Sequence, residues 1–389
     1  MTTENVYAYM LHNIPGWGNK TLLKLLDEFG SCSKIAKATE KELRDFITSK
    51  QYKAFERMQK TWDLEGEYEY LYRRGIDFYY YSDVKYPRRL KDIPDPPFAL
   101  YCLGNLPDEN KPSVSIIGAR NSSEYGKYAA KLFGDKLALS GIQIISGMAR
   151  GIDGISQQAA IYAGGESYGI LGSGVDVCYP EENRALYNSL IKSGGIISEY
   201  LPGTQPKPQY FPPRNRIISG LSDAVLVIEA REKSGTLITV DMALEQGREV
   251  FAVPGRICDS LSYGCNSLIR QGAGMAAGPE EILEYLRRKI HSDRPGVDEK
   301  CGKEEEKAGE MCENIVFENN EKAELLNCNE TQKCIYKELD FYPQTTAAIF
   351  EKMVERGMEM TVSEVMNALV ELCLIGIVAQ NGTGFYKRG

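Results

Sequence analysis

Glycines, hydroxyls and arginines recur together at the ends of apolar runs in the middle of this chain. SVSIIG leads into Gly118-Ala119-Arg120, and IQIISG into Ser146-Gly147-Met148-Ala149-Arg150-Gly151. SYGILG ends on Gly172 and continues as Ser173-Gly174. AVLVIEA runs into Arg231, Lys233, Ser234, Gly235 and Thr236, and EVFAV into Pro254-Gly255-Arg256. Glycine lets backbone N–H groups approach an anion, hydroxyls add donors, and guanidinium forks match phosphate oxygens. These residues suit phosphate binding. In FPPRNRIISGLSDAVLVIEA (211–230), Arg214, Asn215 and Arg216 open a short apolar helix. Arginine in a first helical turn opposes the helix dipole unless an anion is present, so this misfit points to the same ligand.

The elements that must position these residues alternate. The six runs SVSIIG, IQIISG, SYGILG, GIISEY, AVLVIEA and EVFAVPG are candidate strands, and segments near 124–140, 153–163, 181–193, 214–221 and 237–247 are candidate helices. That alternation predicts an α/β fold, an extended Rossmann-like, doubly wound parallel sheet over 113–290. Ligands of such sheets bind outside the carboxyl ends of the strands, where the glycine and arginine clusters fall.

Around this core, residues 1–75 are a small helical domain of helix-hairpin-helix or SAM-like type, with IPGWGNKTLLKLL (14–26) as a glycine-rich turn before a helix. Residues 76–112 hold a tyrosine-rich strand and then an irregular, proline-dense strap leading into the core. Residues 291–329 form an acidic linker, and 330–389 three helices and a hairpin, a winged-helix domain. The polar positions of its third helix (Ser363, Glu364, Asn367, Glu371) are not basic, which favours protein contact at least as much as groove reading.

Composition narrows the function. The formal net charge of -8 argues against a general nucleic-acid coat protein but leaves room for one local basic groove. Only His12 and His291 occur, both outside the glycine-rich middle, so no histidine-based zinc site or Ser-His triad is expected there, and no metal. Ten scattered cysteines without a C-x-x-C pair suggest reduced thiols. No 18-residue apolar run occurs and MTTENVYAYM lacks the order of a secretion signal, so a cytoplasmic protein without membrane contact is expected. The first loop reads G-A-R-N-S-S rather than G-x-G-x-x-G, and no G-x-x-x-x-G-K-[ST] is present. Dinucleotide cofactors and P-loop chemistry are therefore not expected. A phosphoribosyl-type nucleotide or an extended polynucleotide backbone remains, and arginines spread over several strand ends suit the longer ligand.

SVSIIGAR, SGMARGIDGISQQAA, GSGVDVCYPEEN, SEYLPG, FPPRNRIISGLSDAVLVIEA, KSGTLITVDMALEQGREVFAVPG and SYGCNSLIRQGA, in this order, resemble the DNA-processing protein A (DprA, or Smf) family across about 113–285. SDVKYPRRLKDIPDPPFALYCLGNL (82–106) resembles the stretch that precedes that core. The resemblance implies a single-stranded-DNA-binding protein of natural transformation, a homodimer without enzymatic activity or cofactor. It would protect incoming strands and load the RecA recombinase onto them. The family's Gly-x-Arg arginine falls on Arg120, and its F-P-x-R-N-R motif on Arg214, Asn215 and Arg216. On this basis Arg120, Arg150, Arg214, Arg216 and Lys233 capture the backbone and the glycine loops fix its path, with Tyr179 or Phe211 stacking on a base. Two departures stand out: Gln157 replaces a family histidine, and Glu181 and Glu182 stand where a basic residue could help. Two other classes compete. A phosphoribohydrolase of the lysine-decarboxylase-like type shares the sheet type, but Thr239 stands in place of its catalytic glutamate. A nucleotide-sensing regulator could use the winged helix on promoters.

Overall fold

A strand covered on both faces reads as a continuous apolar run, and the middle of the chain supplies six of these. A computed structural model describes residues 3–293, 328–358, 360–382 and 384–387. Its larger sheet has nine strands, β1 (Asp77–Tyr80), β2 (Ala99–Gly104), β3 (Ser113–Ile117), β4 (Gln143–Ser146), β5 (Ser167–Ile170), β6 (Gly194–Ser198), β7 (Ala224–Val227), β8 (Glu249–Ala252) and β9 (Gly274–Met275). Their order is β1-β2-β6-β5-β4-β3-β7-β8-β9; neighbours from β6 to β9 are parallel, while β1 and β2 add antiparallel at one edge. This is the doubly wound α/β sheet the alternation predicts. From β3 the chain steps outward through β4, β5 and β6, then returns to the other side of β3 as β7. That reversal opens a crevice at the carboxyl ends of β3 and β7.

The strap over 76–112 needs correction. Its prolines, Pro94, Pro96 and Pro97, crowd the connection and leave ALYCLG free to donate backbone hydrogen bonds, so this run becomes β2 and pairs with β6. The sheet therefore begins at Asp77 rather than at residue 113. The helical segment from Thr3 to Arg73 also lacks a core of its own. Tyr9, Leu22, Leu25 and Phe55 join Tyr101, Leu171, Leu190 and Ile196 in one hydrophobic cluster.

The chain divides into two compact units, Met1–Ser122 with Ala129–Leu286, and Ser123–Tyr128 with Arg287–Gly389. The second unit carries helices Glu330–Glu338, Thr346–Glu355 and Val362–Leu374, with a three-stranded sheet of β10 (Gln344–Thr345), β12 (Gly384–Lys387) and β11 (Val378–Asn381). That is the element order of a winged helix, closed around Ile335, Ile349, Met353, Leu369 and Phe385. The expected acidic linker lies outside the described residues over 294–327. Among the described residues no helix is long and apolar enough to cross a membrane.

Candidate nucleic-acid interface

At the switch point the loops after β3 and β7 face the first turn of the helix Phe211–Gly220 across a cleft of about 630 Å³. Four cations line it, Arg120, Arg214, Arg231 and Lys233, against one carboxylate, Asp153. One wall is aromatic: Tyr179 and Phe211 lie 5.7 Å apart at 33°, and the Arg120 and Arg214 guanidiniums each sit 5.9 Å from the centre of the Phe211 ring. The other wall carries a helix start. Ser234 caps Gly235–Glu245, its Oγ accepting from the Thr236 N–H at 3.2 Å, so the positive end of that helix faces the cleft that the cations line. Asn215 and Gly118 complete this group.

Arg214 is buried. It donates to the carbonyls of Gly147 at 2.9 Å and of Ile170, and to Asn215 Oδ1 at 3.3 Å. Burial pushes its pKa down to about 10; Asp153 works against this, and the nearby Arg120 charge adds to it. Burial likewise pushes Asp153 up, held back by Arg214 and by the Gly147 N–H, which donates to Oδ2 at 3.1 Å. The guanidinium is thus a desolvated cation with less negative charge around it than it needs. An anion in the cleft would supply the difference.

Seven expected site residues stand elsewhere. Arg216 is buried on the far side of its helix, where Nη1 and Nη2 donate to Glu199 at 3.1 and 2.7 Å and Nε to Asp95 at 3.2 Å. Burial opposes its charge, but Glu199 and Asp95 outweigh it and raise its pKa. Arg216 is a structural ion pair, contrary to the expectation of phosphate capture. Arg150 is exposed and held by both oxygens of Glu182 at 2.7 Å, outside the cleft lining. The Ser146 hydroxyl is buried and donates to the Ile116 carbonyl at 2.6 Å.

Gly147 and Gly151 act by allowing close approach. A Cβ on Gly147 would lie 2.7 Å from Asp153 and 2.8 Å from Arg214. On Gly151, at φ +71°, it would strike the carbonyls of Ala119 and Arg120. Gly172 seats the Phe211 ring and Gly174 the backbone of Leu201. Arg231 and two residues that the sequence motifs do not single out, Asp153 and Asn121, also line the cleft. The signal for Asp153 is an acid two residues after Gly151, in the first turn of the next helix.

The comparisons with known proteins agree with this architecture. Residues 77–287 match the model of the family described as DNA recombination-mediator protein A. The chain belongs to this family. Over 214 residues it is 43% identical to the DNA processing protein DprA of Bacillus subtilis, covering 55% of this chain and 72% of that protein. With Protein Smf of Escherichia coli it shares 44% identity over 207 residues, covering 53% of this chain and 55% of the relative. A solved structure of DNA processing protein A from Streptococcus pneumoniae superposes with a TM-score of 0.66 at 33% identity, covering 73% of this chain and 98% of that one. Within this DNA recombination-mediator framework Gln157 is fully buried. Its Oε1 accepts from the Met148 N–H at 3.1 Å and its Nε2 donates to the Tyr168 carbonyl at 2.9 Å, holding Met148 at φ +52° beside the cleft loops.

Proposed function

We propose that the cleft binds the backbone of single-stranded DNA, with bases stacking on the Tyr179–Phe211 pair. The observation that carries this reading is the convergence of Arg120, Arg214, Arg231, Lys233 and the helix start at Ser234 on one crevice walled by two aromatic rings. Cations that track phosphates beside a stacking platform suit an unpaired strand, whose bases are free to turn onto a ring. A duplex keeps its bases stacked inside and offers that platform nothing.

Membership of a recombination-mediator family and relatives named for DNA processing support the wider role: the protein shields a strand and delivers it to a recombinase of the RecA type. It acts in the cytoplasm, and as a homodimer two clefts engage one strand, so the second contact forms at high effective concentration. It binds rather than catalyses, because Thr239 lines the cleft in place of the glutamate that a phosphoribohydrolase needs. Fluorescence anisotropy of a labelled single strand and the matching duplex across a salt series tests the proposal. Tight, salt-dependent single-strand binding is expected. Indifference to the single strand, or release of ribose phosphate from a nucleoside monophosphate, refutes it.

A further inference from the structure

The rim of the cleft carries two further arginines. Arg150 follows Ala149, which lines the cleft, and precedes Gly151, which packs against the carbonyls of Ala119 and Arg120. Arg184 opens the helix Arg184–Lys192, where its charge opposes the helix dipole. Both guanidiniums are occupied. Arg150 Nε and Nη2 donate to the two oxygens of Glu182, each at 2.7 Å, and Arg184 Nε and Nη2 to those of Glu181 at 3.0 and 2.6 Å. Glu181 and Glu182 stand two and three residues beyond Tyr179 of the aromatic wall, so their backbone lies within about 11 Å of it. That is about one Debye length at moderate salt, so the charge state of the rim is felt by a strand in the cleft.

A guanidinium fork fits two phosphate oxygens as it fits the two oxygens of a carboxylate. The acids do little for the fold. All four side chains are 46–73% exposed, and exposed ion pairs contribute about 0–1 kcal/mol. Asn183 already fastens their loop, its Nδ2 donating to the carbonyls of Met148 and Ala149 at 3.0 and 3.1 Å. What the acids change is the charge at the rim. We propose, resting on the reading of the cleft as a strand site, that Glu181 and Glu182 fill a second phosphate subsite with their carboxylates and so set how much of a strand the protein holds. The strand is gripped by Arg120, Arg214, Arg231 and Lys233, and its next phosphates meet a neutral rim. Exchange does not open the subsite, because a phosphate that displaces either carboxylate keeps that charge as a neighbour. Two like charges about 4 Å apart cost about 1 kcal/mol even in bulk water.

Glutamine keeps the shape of glutamate without its charge, so the double variant Glu181→Gln/Glu182→Gln frees both arginines. The assay is anisotropy of fluorescein-labelled oligothymidylates of increasing length, bound to the full chain across a salt series. Compared with the wild type, affinity should go on rising for about two more nucleotides, one for each added phosphate contact. The slope of log affinity against log salt should steepen by up to about 1.4, which widens the gain about sevenfold between roughly 0.2 and 0.05 M salt. Glu182→Gln combined with Arg150→Gln should return the slope of Glu182→Gln to that of the wild type, because the gain acts through the freed arginine. Glu166→Gln/Glu249→Gln, at the amino ends of β5 and β8 and so on the opposite edge of the sheet, changes net charge equally and should leave both readings unchanged. An unchanged length dependence and slope in Glu181→Gln/Glu182→Gln, or the same changes in the distant pair, overturns the proposal. A wild type that ignores the single strand refutes the cleft reading itself.

Discussion

Arg120→Ala and Arg216→Ala separate a binding arginine from a structural one in a single pair of experiments. Arg120 is exposed, lines the cleft and sits over Phe211. Its loss removes one charge-assisted phosphate contact, about 1.5–3 kcal/mol, or roughly 10–150-fold in affinity. The slope of log affinity against log salt becomes shallower by about 0.7. Melting temperature should hardly move. Arg216 gives the opposite pattern: its side chain is 8% exposed and that of Glu199 only 9%, so truncation strands a buried carboxylate. Breaking such a pair costs about 3–5 kcal/mol, a drop of roughly 10 °C in melting temperature for a unit of this size. At a temperature where Arg216→Ala is still folded, its salt slope should equal that of the wild type. The assays are anisotropy of a labelled single strand across a salt series and thermal unfolding by circular dichroism. If Arg216→Ala melts normally but loses salt slope, or if Arg120→Ala binds unchanged, the placement of the DNA path is wrong.

Other perturbations read different parts of the site. Glu182→Gln releases Arg150 from its 2.7 Å partner and should tighten single-strand binding at low salt with a slope up to about 0.7 steeper; an unchanged slope means that the strand passes elsewhere. Phe211→Leu removes stacking and should cost about 1–3 kcal/mol of affinity without altering the salt slope, separating base contacts from phosphate contacts. Gly151→Ala forces the loop carrying Arg120 away from the next loop, so affinity and stability should fall together, measured by anisotropy and urea titration. Half-buried His12, beside the Tyr101 hydroxyl at 3.1 Å, is pushed down to about 4 by burial, from 6.5. The unfolded chain therefore takes up this proton first as pH falls below 6.5, and stability declines until both states are protonated near pH 4. The decline is roughly 3 kcal/mol, read as a falling urea midpoint, and His12→Gln should flatten it.

The strands β3 to β8 were legible in the sequence because burial on both faces leaves an apolar run that needs no partner to recognise. β2 was hidden because four prolines between residues 87 and 97 advertise irregular chain, and only pairing with β6, some 90 residues later, shows that the proline-free run after them is ordered. Ion pairs hide in the same way. Nothing local distinguishes Arg150, neutralised by Glu182, from Arg120, which is left in the cleft, because the deciding acid is 32 residues away.

The two arginines of FPPRNR make the point sharper, because here the chain did hold the answer. Residues two apart on a helix are separated by about 200°, so Arg214 and Arg216 cannot face the same ligand once the segment is helical. With Arg214 aimed at the cleft, Arg216 must aim away, into the layer between this helix and the segment holding Asp95 and Glu199. The motif reads in sequence as one anion-binding triplet, while helical periodicity assigns them two tasks: one cation partly uncompensated beside the cleft, the other fully paired beneath it. The second secures the first. By tying the helix to Glu199 at the end of β6, Arg216 fixes the turn that presents Arg214 and Phe211, so its loss should disturb the cleft only through the helix and never through the salt slope.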